Sequence, residues 1–411
     1  MRITSLLRQL LGLEDTRVRD VSFVDASLVV DVAPTWRKPR CSKCGQRCPG
    51  YDAQRGRRWR HLDMAGMLLY LRYDIRRAKC RDCGVLVEKV PWADHGSWFT
   101  RPFEDQIGYL AQRSDRTTVS KLMRVTWETV GDIIRRVVDR HQEGDPLDGL
   151  TMIGVDELSY RRHHEYVTVV VDHVQGRIVW ARRGKNAATL KAFFDELGAE
   201  RCGKLEAVTV DMSAAYIKAV TIASPQARLV FDRFHVQRLA HDALDKVRRT
   251  EVREVEATAA RRGLKRTRWA LHKNPWNLTG VERDKLAALP RLNRRLFRAY
   301  LLKEALAGIL DRKQVNVASR LLDEWLGWAF RSRLAPFRKL AATIRDHRDG
   351  ILAYVKTGLS NGRTEALNGK ARTITRRAYG LHSASALIAL LRLCCSGIRL
   401  EPVTLRPGST H

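Results

Sequence analysis

Four of the eight cysteines fall in two Cys-x-x-Cys pairs, Cys41/Cys44 and Cys80/Cys83, each followed by a glycine, Gly45 and Gly84. Two intervening residues let a tight turn aim both thiolates at one ion, and glycine relieves the positive φ that such turns adopt. Two knuckles of this kind make a four-thiolate tetrahedral Zn2+ site, with a redox pair as the competing reading. Cys48 is a substitute ligand or a bystander, and Cys202, Cys394 and Cys395 read as core or surface thiols. Further along, Asp156 follows Ile153-Gly-Val155 and Asp211 follows Ala207-Val-Thr-Val210, both strand-like apolar runs. Two carboxylates converging at strand ends repel unless a divalent cation sits between them, which is the chemistry of an oxygen-ligand magnesium site. Either residue alone reads equally well as a turn former.

The elements that must position these acids follow a linker, Glu143-Gly-Asp-Pro-Leu-Asp-Gly149. Thr151 to Tyr160, Tyr166 to Asp172 and Arg177 to Arg182 read as three consecutive strands. A helix (Ala187 to Leu197), a strand (Leu205 to Val210), a helix (Ser213 to Ile222), a strand (Ala227 to Phe231) and a long helix from Arg233 come next. Three antiparallel strands and then alternating α and β give the order of a ribonuclease-H-like mixed sheet. Its first and fourth strands are neighbours, so Asp156 and Asp211 are expected to face each other, while Glu157 points to the opposite face. A third carboxylate must come from a helix beside this sheet. The candidate is Glu365, in a polar segment from Leu359 to Arg372 that Asn361 or Thr364 can cap; Asn368 and Arg372 then share its helix face.

Of the 411 residues 44% are apolar, enough for several domains with buried cores, and Lys plus Arg (75) exceed Asp plus Glu (45) by 30. That excess calls for a polyanion partner, nucleic acid before anionic membrane. No apolar run reaches the length of a membrane span and no signal peptide is evident, so a cytoplasmic protein with no membrane role is expected. Arg55-Gly-Arg-Arg-Trp-Arg-His61, between the knuckles, suits phosphate contact through Arg57, Arg58 and Arg60 or is a solvated loop, ahead of a strand from Leu68 to Ile75. Phe103 to Ala111 is amphipathic. Arg116 to Val125 then reads as a short helix capped by Thr117 or Thr118, and Thr126 to Arg140 as a longer one capped by Thr126. This is the order of a helix-turn-helix, with Thr126, Trp127, Glu128 and Thr129 placed to meet base edges.

Taken together, the chain resembles the DDE transposases of the ISL-three group of bacterial insertion sequences, almost end to end. The resemblance is carried by the two knuckles, the helix-turn-helix, Gly154-Val-Asp-Glu157, Val210-Asp-Met-Ser213, Phe231-Asp-Arg-Phe-His-Val236, and Ser360-Asn-Gly-Arg-Thr-Glu365 running into Arg376-Arg-Ala-Tyr-Gly380. It implies a multidomain α+β chain: a zinc ribbon (1–98), a helix-turn-helix (99–145) and a ribonuclease-H-like core (146–238 and 357–411) interrupted by an all-helical insertion (239–356). It further implies that Asp156, Asp211 and Glu365 hold two Mg2+ (or Mn2+) ions, beside structural Zn2+ on Cys41, Cys44, Cys80 and Cys83. His235, three residues after Asp232, is expected near the scissile phosphate or in a structural hydrogen bond. Arg363, Asn368, Lys370, Arg372, Arg376 and Arg377 are expected on DNA. The insertion is basic, and its tryptophans read as helix core, with Trp328 the candidate for stacking on an unpaired base.

The implied activity is binding of the terminal inverted repeats of its own element, metal-dependent strand cleavage, and transfer of the freed ends to target DNA. A homodimer or higher oligomer on double-stranded DNA, in the bacterial nucleoid, goes with it. The competing readings are a DNA-binding regulator with an inactive catalytic domain and a nuclease without strand transfer.

Overall fold

The structure is a computed structural model that describes residues 3–161, 165–255, 263–359, 362–378 and 383–402. The chain divides into two compact units: Met1–Glu143 with Arg377–Tyr379 and Arg392–His411, and Gly144–Arg376 with Gly380–Leu391.

The first unit begins with helix α1 (Ile3–Leu11) and strands β1 (Thr16–Val24), β2 (Ser27–Pro34), β3 (Gly50–Met64), β4 (Met67–Cys80) and β5 (Gly84–Val87). Their order is β1-β2-β4-β3, with β5 pairing β4. Two-residue turns close the β1/β2 and β3/β4 hairpins at Asp25-Ala26 and Ala65-Gly66, all four at positive φ, the twist that antiparallel partners favour. Residues 55–61 are part of β3 rather than a loop. Alternation buries Trp59 against Leu69, Leu71 and Trp92, and Trp59 meets Trp92 edge-on at 5.5 Å.

Three helices follow, α2 (Arg101–Ala111), α3 (Arg116–Met123) and α4 (Trp127–His141). Asp115 caps α3 by accepting from the Thr118 amide at 2.9 Å, a correction to the expected threonine cap; its carboxylate is the stronger acceptor for an orphan N–H. Arg124, at φ 53°, ends α3, and Thr126 caps α4 as expected.

The second unit contains β6 (Met152–Arg161), β7 (Glu165–Asp172), β8 (Arg177–Arg183), β9 (Ala207–Val210) and β10 (Arg228–Phe231), in the order β10-β9-β6-β7-β8. Strands β6, β7 and β8 are antiparallel, whereas β9 and β10 run parallel to β6. Helices α5 (Ala187–Leu197), α6 (Ala199–Cys202), α7 (Ala214–Ala223) and α8 (Arg233–Glu254) accompany the sheet. This is the mixed α/β layout expected from the sequence.

Among the described residues six α-helices follow: α9 (Arg268–His272), α10 (Gly280–Leu292), α11 (Arg294–Leu310), α12 (Val315–Arg331), α13 (Ala335–Asp346) and α14 (Arg348–Thr357). Among the described residues of this stretch there is no strand. Helix α14 packs on edge strand β10 where Gly350 leaves room for the Phe231 ring; a Cβ there would lie 2.4 Å from it. The chain closes with α15 (Gly362–Arg377) and α16 (Ala384–Cys395). No helix among the described residues is long and apolar enough to cross a membrane.

Candidate metal, catalytic and DNA-binding sites

The first knuckle lies between β2 and β3 and the second is the β4/β5 turn. Gly45 and Gly84 sit at φ 75° and 80°, the conformation for which glycine was expected. The Gly45 amide donates to the Cys41 carbonyl at 2.9 Å, closing the first turn. The sulfurs of Cys41, Cys44, Cys80 and Cys83 all lie within 4.8 Å of one another, and Cys44 and Cys80 are 3.6 Å apart. Four thiolates about 2.3 Å from one tetrahedral Zn2+ require sulfur separations of about 3.8 Å, so the set fits. Backbone amides of Asp82 and Cys83 aimed at Cys80 lower its pKa to about 6, which favours the thiolate form a metal needs. Cys48 is buried beside the cluster and hydrogen-bonds the Gln46 carbonyl instead of completing the set.

In the helix-turn-helix, Thr126 Oγ1 accepts from the Thr129 amide, and Glu128 is exposed in the first turn of α4. The Arg116 guanidinium lies 3.4 Å from the centre of the Trp127 ring and donates to the Trp127 carbonyl at 2.8 Å. It occupies the space above Gly131, where a Cβ would fall 2.0 Å from it. Beneath this surface lies an ionic core that the sequence reading missed. Glu104, with its side chain fully buried, accepts from Ser97, Arg136 and Arg140 at 2.8, 2.7 and 2.8 Å, and Arg140 also reaches Asp105 at 2.6 Å and Asp94.

The arginines named from sequence have different environments. Arg58 is exposed. Arg57 lies between the rings of Trp59 and Trp98 and donates to the Ser97 carbonyl at 3.0 Å. Arg60 is buried, ion-paired with Asp63 and packed on Tyr70 and Phe103. Arg377 donates to the carbonyls of Ala111 and Gln112, capping the C-terminal end of α2. A guanidinium that stacks or caps looks, in sequence, like one that awaits phosphate.

In the second unit the register brings the acids to one edge. The last paired positions of β6 and β9 are Gly154 and Thr209, and Asp156 and Asp211 each come two residues later. Strands β9 and β10 end paired at Val210 and Phe231, followed by Asp211 and Asp232. Burial raises the pKa of Asp156, while the Glu157 amide, His235 and Arg372 act in the opposite sense. Arg372 on α15 is therefore within electrostatic reach of Asp156. Asp232 caps α8 by accepting from the Phe234 amide, and its Oδ2 lies 3.8 Å from His235 Nε2. Glu365 lies on α15; its side chain and those of Arg363 and Asn368 fall outside the described residues. Lys370, Arg372 and Arg376 are exposed on the same helix.

Two supporting groups near the acids were not foreseen. On the Asp156 side of the sheet, His173 Nε2 and Thr209 Oγ1 lie 2.7 Å apart, in the space above Gly154. On the Glu157 side, the Tyr216 hydroxyl lies 3.2 Å from Thr168 Oγ1 and within electrostatic reach of the Glu157 carboxylate. Sheet register and the packing of α7 bring these residues together, so no local sequence signal could have paired them.

The tryptophans of the helical stretch also differ from expectation. Trp325 is buried and donates to the Leu302 carbonyl, and Trp328 packs partly against the core. Trp269 and Trp276, by contrast, are exposed, at 67% and 75%.

Comparison with known proteins gives a consistent picture. A family described as "Transposase" matches residues 153–391. "Helix-turn-helix domain of transposase family ISL3" matches 88–138, and "zinc-finger of transposase IS204/IS1001/IS1096/IS1165" matches 37–83. The chain is 39% identical over 432 aligned positions to the transposase for insertion sequence element IS1557 of Mycobacterium tuberculosis, covering 97% of each chain. It is 27% identical to the transposase for insertion sequence element IS1001 of Bordetella parapertussis, covering 90% of this chain and 92% of that one.

Proposed function

The chain belongs to the ISL3 family of transposases, enzymes that cleave and transfer DNA, and from that premise we propose that Asp156, Asp211 and Glu365 are the carboxylates of a DDE-type centre. The observation that carries this reading is the register, with Asp156 and Asp211 following the last paired residues of adjoining parallel strands. Helix α15 supports the third assignment: Arg372, within electrostatic reach of Asp156, lies two turns from Glu365 on the same face. Carboxylate oxygens suit Mg2+ or Mn2+, and the burial that raises the Asp156 pKa is a penalty on its charge that a bound cation would offset. Divalent ions held by the three acids would supply the charge that activates the attacking oxygen and neutralises the leaving one.

The chain's own groups do the rest. His235, steadied by Asp232, orients the scissile phosphate from the start of α8. Lys370 and Arg376, with Arg363 and Asn368, fix the strand, so that attack on phosphorus is in line with the 3′ oxygen that leaves. That liberated 3′-hydroxyl then attacks a target phosphodiester, forming one P–O bond as another breaks. The first unit selects the element's terminal inverted repeats: Thr126, Trp127, Glu128 and Thr129 read bases, Arg58 meets phosphate, and the four-cysteine cluster holds Zn2+. Two ends must be joined, so a homodimer or larger assembly forms on DNA, in the bacterial nucleoid.

Asp156→Asn, Asp211→Asn and Glu365→Gln are each expected to lower cleavage of end-labelled flanking DNA by about a thousandfold or more, the several kcal/mol such charge stabilisation supplies. Each should bind that DNA as the unaltered protein does. A variant that still cleaves at the full rate removes its residue from the centre.

A further inference from the structure

The backbone ladder between β6 and β9 ends before it reaches the acids. Pairing runs from Met152/Ala207 to Gly154/Thr209 and then stops. Asp156 pairs with Val169 of β7 and Asp211 follows the end of β9, so no β6/β9 ladder hydrogen bond joins the two positions, and like charges there push them apart. Something else must fix their separation.

We propose that Glu157, Tyr216 and Thr168 are positioning residues that clamp the middle of β6 to the segment after β9 and so set the spacing of Asp156 and Asp211; the proposal rests on the reading of those acids as metal ligands. Glu157 is the covalent neighbour of Asp156 and points to the other face of the sheet. Tyr216 lies in the first turn of α7, five residues after Asp211. The Asp211 carboxylate accepts from the Ser213 amide at 3.0 Å, which stiffens the short link between β9 and α7. The Tyr216 hydroxyl meets Thr168, the residue opposite Glu157 across β6 and β7, and lies within electrostatic reach of the Glu157 carboxylate, which bridges the β6 segment carrying Asp156 and the end of β9 by way of α7.

Thr168 anchors that bridge. It pairs with Glu157 across β6 and β7, lies 3.2 Å from the Tyr216 hydroxyl, and donates to the Gly184 carbonyl at 2.8 Å. Thr168 is fully buried and Tyr216 is 2% exposed, so no water replaces a contact that is lost. The Tyr216 ring already packs in the core formed with Leu190 and Val220, so the hydroxyl is the part of the side chain given to the bridge. It acts on the acids from behind the sheet without touching substrate or metal.

The test uses the full chain with Tyr216→Phe, Glu157→Ala, their double variant, Glu157→Gln, and Asp156→Asn as reference. Two quantities are read: calorimetric Mn2+ binding of the kind that Asp156→Asn removes, and the Mg2+ concentration giving half-maximal cleavage of flanking DNA. Tyr216→Phe and Glu157→Ala should each weaken Mn2+ binding and raise the Mg2+ midpoint by about tenfold, the usual effect of losing a residue that orients a ligand. The double variant should be no worse than either single one. Glu157→Gln, which keeps an acceptor for the tyrosine hydroxyl, should stay within about twofold on that scale. DNA affinity should hold throughout. If Tyr216→Phe and Glu157→Ala both keep the ordinary Mn2+ affinity and Mg2+ midpoint while Asp156→Asn is inactive, the clamp is wrong and the assignment of the acids survives. If Asp156→Asn cleaves normally, that assignment fails and the clamp fails with it.

Discussion

At Gly154 a methyl group has nowhere to go. Its Cβ would lie 2.7 Å from His173 Nε2 and 2.9 Å from Thr209 Oγ1, two atoms already hydrogen-bonded at 2.7 Å. Gly154→Ala must displace the imidazole two residues below Asp156, so it is expected to destabilise the protein by about 1–3 kcal/mol. Thermal melting would register this, and cleavage should fall further than the stability loss explains. The residue scale is also where sequence reading is most uneven. Asp156 and Asp211 were legible because each closes an apolar run. His173, Thr209 and Tyr216 were not, because their neighbours are set by strand register across 36 to 59 positions of chain.

At the scale of elements, α4 has an apolar face of Val130, Ile133, Ile134, Val137 and Val138 and a cationic edge of Arg136 and Arg140. The apolar spacing and the Thr126 cap were readable directly. The partners of the arginines were not, since buried Glu104 and Asp105 on α2 look in sequence like a solvated first turn. Arg140→Ala leaves Glu104 and Asp105 buried with fewer cations to answer them, and is expected to destabilise the first unit by about 3–5 kcal/mol. Urea unfolding followed in that unit would measure it; an unchanged midpoint would mean the network contributes nothing net. The α3 cap teaches the same lesson on a smaller scale, since Asp115 lies two residues upstream of Thr117 and its carboxylate outcompeted the threonines.

Across the whole molecule, charge and element order carried the most information. The excess of 30 positive charges pointed to a polyanion before any fold was considered. Alternation of strand and helix after residue 150 gave the mixed sheet, while the helical stretch hid its titratable groups. His241 and His272 stack edge-on at 5.2 Å. Burial lowers His241 to about 4 and lowers His272 as well, with Lys303 acting in the same sense on both and Arg268 and Arg248 adding to the effect on His272, against Asp242 on His241 and Asp245 on His272. Both rings protonate less readily in the folded chain than in the unfolded one. The His241 contribution is therefore complete above about pH 6.5 and is lost as pH falls towards 4, and His272 adds to it in the same sense. Thermal melts between pH 7 and 4.5 should show the second unit weakening over that window, with a flatter profile in His241→Gln; identical profiles would exclude this source of acid sensitivity.

The central claim is that this chain cleaves and joins DNA through Asp156, Asp211 and Glu365. Its most direct test incubates purified protein with end-labelled DNA from both flanks of its gene and a supercoiled plasmid, in Mg2+, Mn2+ or chelator. The account predicts nicking at one defined position in each flank, joining of the freed 3′ ends to the plasmid, and neither product in chelator or with Asp156→Asn. Site-specific binding without cleavage in either metal would mark a regulator, and cleavage without joining a nuclease; both results would contradict it.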